Sequence, residues 1–333
     1  MKDTMTHRER IEAILAGETP DRYAASFWRH YFHLEHDAQG TIAAMLDFQN
    51  KFDWDLMKIN PRADYHVQDW GLKLKYSADE FTKHEKLTFP VNYPDDWAKI
   101  EPLPMTAPAL EEHLEVVKGL RREVGNDLPL LMTVFTPLSL AGRMLPDREK
   151  LPGHLHEHFN LIETALEAIT DTFVRYVAEL RNAGADGIFY ATTQWASKDR
   201  LSWEEYEKFA LPYDLRVIEA TGEDSINLMH VCEGNNFLAE LAPYDYFSAI
   251  YNWDAVHPTN PSLAEGRKLL DFRTLLGGFP FDDSLKQISP EQAKATITQL
   301  KQEFAPNELI IGPGCAIPPD TPDNLLHEIR SSL

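Results

Sequence analysis

Residues 159–190, FNLIETALEAITDTFVRYVAELRNAGADGIFY, carry the pattern that decides the fold. Phe159, Ile162, Leu166, Ile169, Phe173, Val177 and Leu180 recur at intervals of three and four, which gives a helix one apolar face. The run Asn182-Ala183-Gly184-Ala185-Asp186-Gly187 then stops the helix, and the apolar Gly187–Tyr190 follows as a short buried strand. A helix feeding straight into a buried strand is part of a strand–helix–strand unit, whose strands lie parallel.

Working outward, the alternation repeats. Apolar runs at Tyr23–Phe27, Leu56–Asn60, Leu130–Phe135, Gly187–Tyr190, Ile226–Val231, Ser248–Asn252, Leu275–Gly278 and Leu309–Ile311 read as eight strands. Eight parallel strands joined by helices predict an α/β protein closed as a (β/α)8 TIM barrel. An open doubly wound sheet is the rival, but no glycine-rich dinucleotide fingerprint follows the first strand. Thr6 and Glu9 have capping-box spacing and Gly17 stands where the helix should end, so an N-terminal helical extension is expected. From Gly71 to Pro108 the rhythm breaks, with hairpin-like alternation at Leu72–Lys75 and Lys86–Phe89 and then a Pro-rich stretch. This reads as an insertion after the second strand, because barrel repeats continue on both sides. Residues 1–333 are therefore expected to form one domain.

Composition limits the partners. A formal charge of −21, from 53 acids against 32 bases, argues against nucleic acid or an anionic membrane as main partner. An anionic substrate would need a local cluster of Arg or Lys. The start of the chain shows no apolar core of a signal peptide, and the apolar stretch Leu128–Leu145 is broken by Pro129, Pro137, Gly142 and Arg143. Two cysteines far apart in sequence suit reduced thiols and a cytoplasmic location.

Those cysteines carry the sharpest chemical signal. His230 and Cys232 are two residues apart, so on a strand they share a face, and both fall at the end of the fifth predicted strand. Cys315 falls just past the eighth, in Gly312-Pro313-Gly314-Cys315-Ala316. In a barrel the carboxyl ends of all strands meet at one mouth, so residues this remote can converge there. One imidazole and two thiolates suit zinc and leave a fourth position for water or substrate. The plainer alternative is two core cysteines beside a hydrogen-bonded histidine.

With these residues in hand, the sequence resembles the uroporphyrinogen decarboxylase superfamily, whose members are (β/α)8 barrels. THRERIEAILAGETPDR resembles its opening helix, Phe209-Ala210-Leu211-Pro212-Tyr213 its helix after the fourth strand, and Gly312 to Pro322 its closing loop. Decarboxylases of the superfamily carry Arg-Gln-Ala-Gly-Arg after the first strand. Here that motif resembles Arg29-His30-Tyr31-Phe32-His33, which keeps the first arginine and loses the glycine and the second arginine. Arg143 stands where the decarboxylases have a tyrosine, and their closing-loop histidine falls at or next to Cys315. The other branch comprises methylcobalamin:coenzyme M methyltransferases and related corrinoid-dependent enzymes, which bind zinc through His-x-Cys and a distant Cys. His230, Cys232 and Cys315 match that pattern, with one departure. The branch's usual Cys-Gly-Asn reads Cys232-Glu233-Gly234-Asn235 here, and Glu233 either lengthens the turn, adds a fourth ligand or acts as a base.

Other candidates follow from position at predicted strand ends. Arg29, His33, Asn60, Arg143, Tyr190, Gln194 and Asn252 are expected to line the substrate pocket, with His30, Arg62, Asp64 and Trp253 nearby. Asp254 is expected to act in catalysis or to orient His230. His33 with His36, and the cluster His154, His156, His158, read as ordinary polar positions and not as metal sites. The leading expectation is thus a Zn²⁺-dependent methyltransferase that activates a small thiol, with a methylated corrinoid (cobalamin), free or on a corrinoid protein, as donor. A homodimer is compatible with it. The alternatives are a uroporphyrinogen decarboxylase of porphyrin biosynthesis and a non-catalytic barrel that binds a corrinoid or a partner.

Overall fold

The computed structural model describes residues 3–244, 248–271 and 273–333. Its strands are β1 (Met57–Ile59), β2 (Lys73–Lys75), β3 (Glu85–Thr88), β4 (Leu130–Phe135), β5 (Gly187–Ala191), β6 (Asn227–Val231), β7 (Ser248–Trp253), β8 (Thr274–Phe279) and β9 (Leu309–Pro313). Seven of them form one parallel sheet in the order β1-β4-β5-β6-β7-β8-β9, while β2 and β3 form a separate antiparallel hairpin between β1 and β4 in the chain. Helices connect successive strands, and the longest, Phe159–Asn182, buries Ile162, Leu166, Ile169, Phe173, Val177 and Leu180 as its spacing predicts.

Alternate residues of each strand sort into two cores. Leu131, Phe189, Leu228, Ile250, Leu276 and Ile310 pack together on one face, while Met132, Ile188, Met229, Tyr251, Leu275 and Ile311 pack toward the helices. A sheet apolar on both faces, with the inner set converging on itself, is the packing of a TIM-like barrel.

Of the eight predicted runs, the first does not become a regular strand. Tyr23–Phe27 is reduced to an isolated parallel pairing, Ala25 with Ile311, with hydrogen bonds Ile311 N to Ala24 O and Ser26 N to Ile311 O. On its other side Asp55 N donates to Ala25 O, but the remaining links use side chains. Ala25 N donates to Asp55 Oδ2 at 2.9 Å and Ser26 Oγ to Leu56 O at 2.7 Å. Side-chain groups thus replace the ladder between this segment and β1.

Asp55 is the hub of the rim that precedes β1. Fully buried, it accepts from His7 Nδ1 (3.0 Å), Arg10 Nη1 (2.7 Å), Arg22 Nη1 (2.7 Å) and Nη2 (2.9 Å), besides Ala25 N. His7 begins the helix His7–Leu15, whose start is fixed by reciprocal bonds between Thr6 and Glu9 and which is followed by Gly17 at φ 72°.

Burial alone would lower the His7 pKa, but its bonds to Asp53 and Asp55 outweigh this and raise it to about 9. Burial would raise Asp55, yet His7, Arg22 and Arg10 hold it at about 2. The His7 contribution is complete below about pH 6.5 and is lost as pH rises through 9. That of Asp55 is complete above about pH 4 and is lost as pH falls through 2. Denaturant titrations should therefore show stability falling by on the order of 2 kcal/mol between pH 6 and pH 10, with His7→Gln flattening that limb.

Candidate metal centre and its cleft

The strand period places His230 on the inner face of β6, where it is buried, and carries Cys232 to the same side just past the strand end. Cys315 follows β9 by two residues. One donor atom from each of His230, Cys232 and Cys315 lies within 4.8 Å of the others, the arrangement expected of ligands around one ion. Among the described residues this is the group of three or more His, Cys, Asp or Glu side chains placed to hold a metal.

Asn252 decides which imidazole nitrogen is offered. It pairs with His230 across β6 and β7, and its Oδ1 lies 2.5 Å from His230 Nδ1. Its Nδ2 donates to Leu276 O at 2.8 Å and to Pro313 O at 3.0 Å, so the amide nitrogen is committed to two carbonyls on β8 and β9. Oδ1 must therefore accept from the ring, the proton sits on Nδ1, and Nε2 keeps its lone pair. Nε2 is buried and has no hydrogen-bond partner, which is what a metal-ligating nitrogen looks like before its ion is considered.

The two thiols lie against each other. The hydrogen bond from Cys232 draws the Cys315 thiol well below its ordinary range, while the same contact, with burial, pushes Cys232 well above its own. Such a pair shares one proton, and a divalent cation is what allows both sulfurs to be thiolates. Donor type, placement and the unpartnered ring nitrogen all fit zinc.

The turn carrying Cys232 is held tightly. Glu233 and Asn235 both have positive φ, 69° and 48°. Asn260 Nδ2 donates to Glu233 O (2.9 Å) and Asp254 O (3.0 Å), Ser197 Oγ to Gly234 O (2.7 Å), and Asn235 N to Thr259 Oγ1 (2.7 Å). A Cβ on Gly234 would lie 2.4 Å from the His257 ring, so any larger residue here would have to displace that imidazole.

A cleft of about 550 Å³ opens beside Cys315. Lys83, Lys86, Arg143 and Arg148 line it against only Asp64 and Glu35, in a chain of charge −21. Asp64 Oδ1 takes both Arg143 Nη1 (2.7 Å) and Lys86 Nζ (2.8 Å), while Glu35 lies 3.1 Å from His30 Nδ1 and 3.4 Å from His84 Nε2. Arg148 Nη1 reaches Gln194 Oε1 at 3.5 Å.

The expected pocket residues divide. Arg143 lines the cleft, and Gln194 touches it through Arg148. Arg29 donates to Pro319 O at 2.6 Å and lies over the Phe48 ring, tying down the closing loop. Asn60 faces the barrel interior and accepts from Lys58. Tyr190 is on the outer face of β5, with its hydroxyl donating to Asp214 O, because its parity is opposite to that of Phe189. His33 is half-buried, and Asn252 has its amide committed to His230, Leu276 and Pro313. The orienting partner of His230 is thus Asn252 and not Asp254, which packs instead against Gly314. Glu233 is exposed, and Arg62 is held by Glu112. His36 bonds Ser77 O, His154 accepts from Trp97 and His156 meets Glu205, so neither histidine cluster gathers around a point.

Sequence reading missed Lys58, Lys83, His84, Lys86 and Arg148. A lysine in the middle of the apolar run Leu56–Asn60 was a signal for the first. The others arrive by folding of the hairpin and of the segment after Arg143, which no spacing rule reveals.

Comparison with known proteins places the chain. A family model described as Uroporphyrinogen decarboxylase (URO-D) matches residues 6–330. The methylcobamide:CoM methyltransferase MtaA of Methanosarcina barkeri is 27% identical over 211 residues, 63% of this chain and 59% of that enzyme. A uroporphyrinogen decarboxylase of Geotalea daltonii is 25% identical over 173 residues, 50% of this chain and 48% of that one. The chain thus matches less than two thirds of the length of either relative. A solved methyltransferase from Methanosarcina mazei superposes with a TM-score of 0.80 at 18% identity, covering 98% of both chains, and so shares the fold. By the match over nearly its whole length, the chain belongs to the uroporphyrinogen decarboxylase (URO-D) family of enzymes.

Proposed function

We propose that the chain, acting as a single domain, is a zinc-dependent methyltransferase that activates a thiol and takes its methyl group from a methylated corrinoid. The observation that carries this reading is the convergence of His230, Cys232 and Cys315 at the barrel mouth beside a cationic cleft. The relative named for methylcobamide and CoM supports the donor and the thiol class. A corrinoid-bearing protein is the partner this implies, with a homodimer and a cytoplasmic setting compatible with it. No helix among the described residues is long and apolar enough to cross a membrane.

His230 Nε2 and the sulfurs of Cys232 and Cys315 would hold the metal. Zinc bound there supplies the lowered pKa that makes a thiol a thiolate at neutral pH. Asn252 keeps the imidazole in the required tautomer. Asp254, packed against Gly314, which precedes Cys315, is a carboxylate near the centre that could accept the thiol proton. Arg143, Lys86 and Arg148 orient an anionic tail of the substrate and hold its sulfur toward Cys315.

Elemental analysis of the purified protein should find about one zinc per chain, and a methylcobalamin-dependent assay should show methylation of small thiols. Folded, active protein without metal would overturn the proposal, as would conversion of uroporphyrinogen to coproporphyrinogen in place of thiol methylation. Arg148→Ala should raise KM for an anionic thiol about tenfold while leaving kcat and the KM of an uncharged thiol near wild type.

A further inference from the structure

Lys58 projects from the middle of β1 onto the inner face of the barrel, on the same side as Leu56 and Asn60, and is 7% exposed. A buried ammonium is costly unless a negative charge answers it. Its hydrogen bond goes to Asn60 Oδ1, which carries none. Its Nζ lies 4.6 Å from the Phe189 ring centroid and 5.5 Å from that of Trp28, and the Phe189 ring lies 5.0 Å from the His230 ring. Burial lowers the Lys58 pKa to about 8, and the ionised forms of Cys315, Cys232 and Glu35 oppose that shift. A cation therefore sits beside the three-donor centre, over the face of an aromatic ring that itself lies tilted against the imidazole.

Charge counting gives this placement a use, on the zinc reading of the site. A divalent cation, two thiolates and a neutral imidazole sum to zero. A substrate thiolate joining them brings one uncompensated negative charge to a site with low-dielectric walls. After transfer the sulfur–methyl bond has formed, the cobalt–methyl bond has broken with its electron pair left on cobalt, and the product thioether is neutral. A fixed positive charge nearby stabilises the first state and does nothing for the second.

We propose that Lys58 is a positioning residue that acts by charge, making the centre bind an anionic sulfur in preference to a neutral one and so favouring substrate entry and thioether release. A purely structural role for the same side chain, as a cation held between Trp28 and Phe189, predicts no such preference.

The test uses zinc-loaded wild type, Lys58→Met and Lys58→Arg, each first assayed for bound zinc and for thermal stability. Met keeps the aliphatic volume, and the hydrogen bond it gives up is to the neutral Asn60 and not to an ion-pair partner, so the first variant should fold. Calorimetric titration with 2-mercaptoethanol and with its S-methyl ether then reads the preference directly. Lys58→Met should bind 2-mercaptoethanol about tenfold more weakly, with the methyl ether within about twofold of wild type. Lys58→Arg should retain the wild-type ratio if it folds, and Lys58→Met decides the matter if it does not. An equal change for both ligands, or no change, overturns the role of Lys58 while leaving the metal reading intact. Wild type that holds no zinc overturns both.

Discussion

Asp55→Asn should lower the unfolding free energy by about 3 to 5 kcal/mol while leaving bound metal per folded chain unchanged. The substitution keeps shape and one acceptor oxygen but removes the charge that answers three cations. Arg10 is wholly buried and Arg22 nearly so, and although Asp21 and Asp3 still pair with them, neither replaces the carboxylate between them. The same change weakens the bond to Ala25 N that fastens the Ala24–Ser26 segment to β1. Equilibrium denaturation with metal analysis of the folded fraction checks both parts. A loss below about 1 kcal/mol would place Asp55 with ordinary surface ion pairs. The effect should also be strongest near pH 5 to 6, where both His7 and Asp55 are charged, and should shrink in alkali as His7 loses its proton.

The second large effect is graded. Cys315→Ser and Cys232→Ser should each abolish stoichiometric zinc, because a neutral hydroxyl is a poor substitute for a thiolate. Asn252→Leu should weaken zinc binding by about 10 to 100-fold without abolishing it, since it removes the acceptor that fixes the His230 tautomer but no ligand. It also leaves Leu276 O and Pro313 O without their donor, so some stability is lost as well. Chelator competition on the three variants ranks them. Equal zinc affinity in wild type and Asn252→Leu would show that the hydrogen bond to Nδ1 does not govern the metal.

The fold was legible wherever one rule acted alone. The helix at Phe159–Asn182 follows from its periodicity, and the start of the helix His7–Leu15 from its capping residues. Seven of the eight apolar runs became strands because each is buried on both faces. Tyr23–Phe27 has the same pattern, but Asp55 and Ser26 take over its pairing, and such competition between side chain and backbone is invisible in a hydropathy pattern. At the site, strand parity and the shared mouth were enough to bring His230, Cys232 and Cys315 together. Parity also placed Tyr190 outside, a consequence available from Phe189 and Ala191 before any coordinates. Asn252 was read as a pocket residue because sequence gives the face but not the partner. Lys58, Lys86 and Arg148 depend on which segments meet across the barrel, and that is tertiary information.

The Ala24–Ser26 segment leaves the cylinder with a seam. Elsewhere neighbouring strands are zipped by ladders of three to five residue pairs, but here closure rests on a few backbone bonds, a carboxylate and a hydroxyl. Amide hydrogens along this join should exchange with solvent earlier than those between β4 and β5. A chain that parts there would expose the open borders of β1 and β9, each offering unsatisfied peptide groups to a second molecule. Loss of the carboxylate latch would then register first as self-association on warming, before the rest of the cylinder unravels.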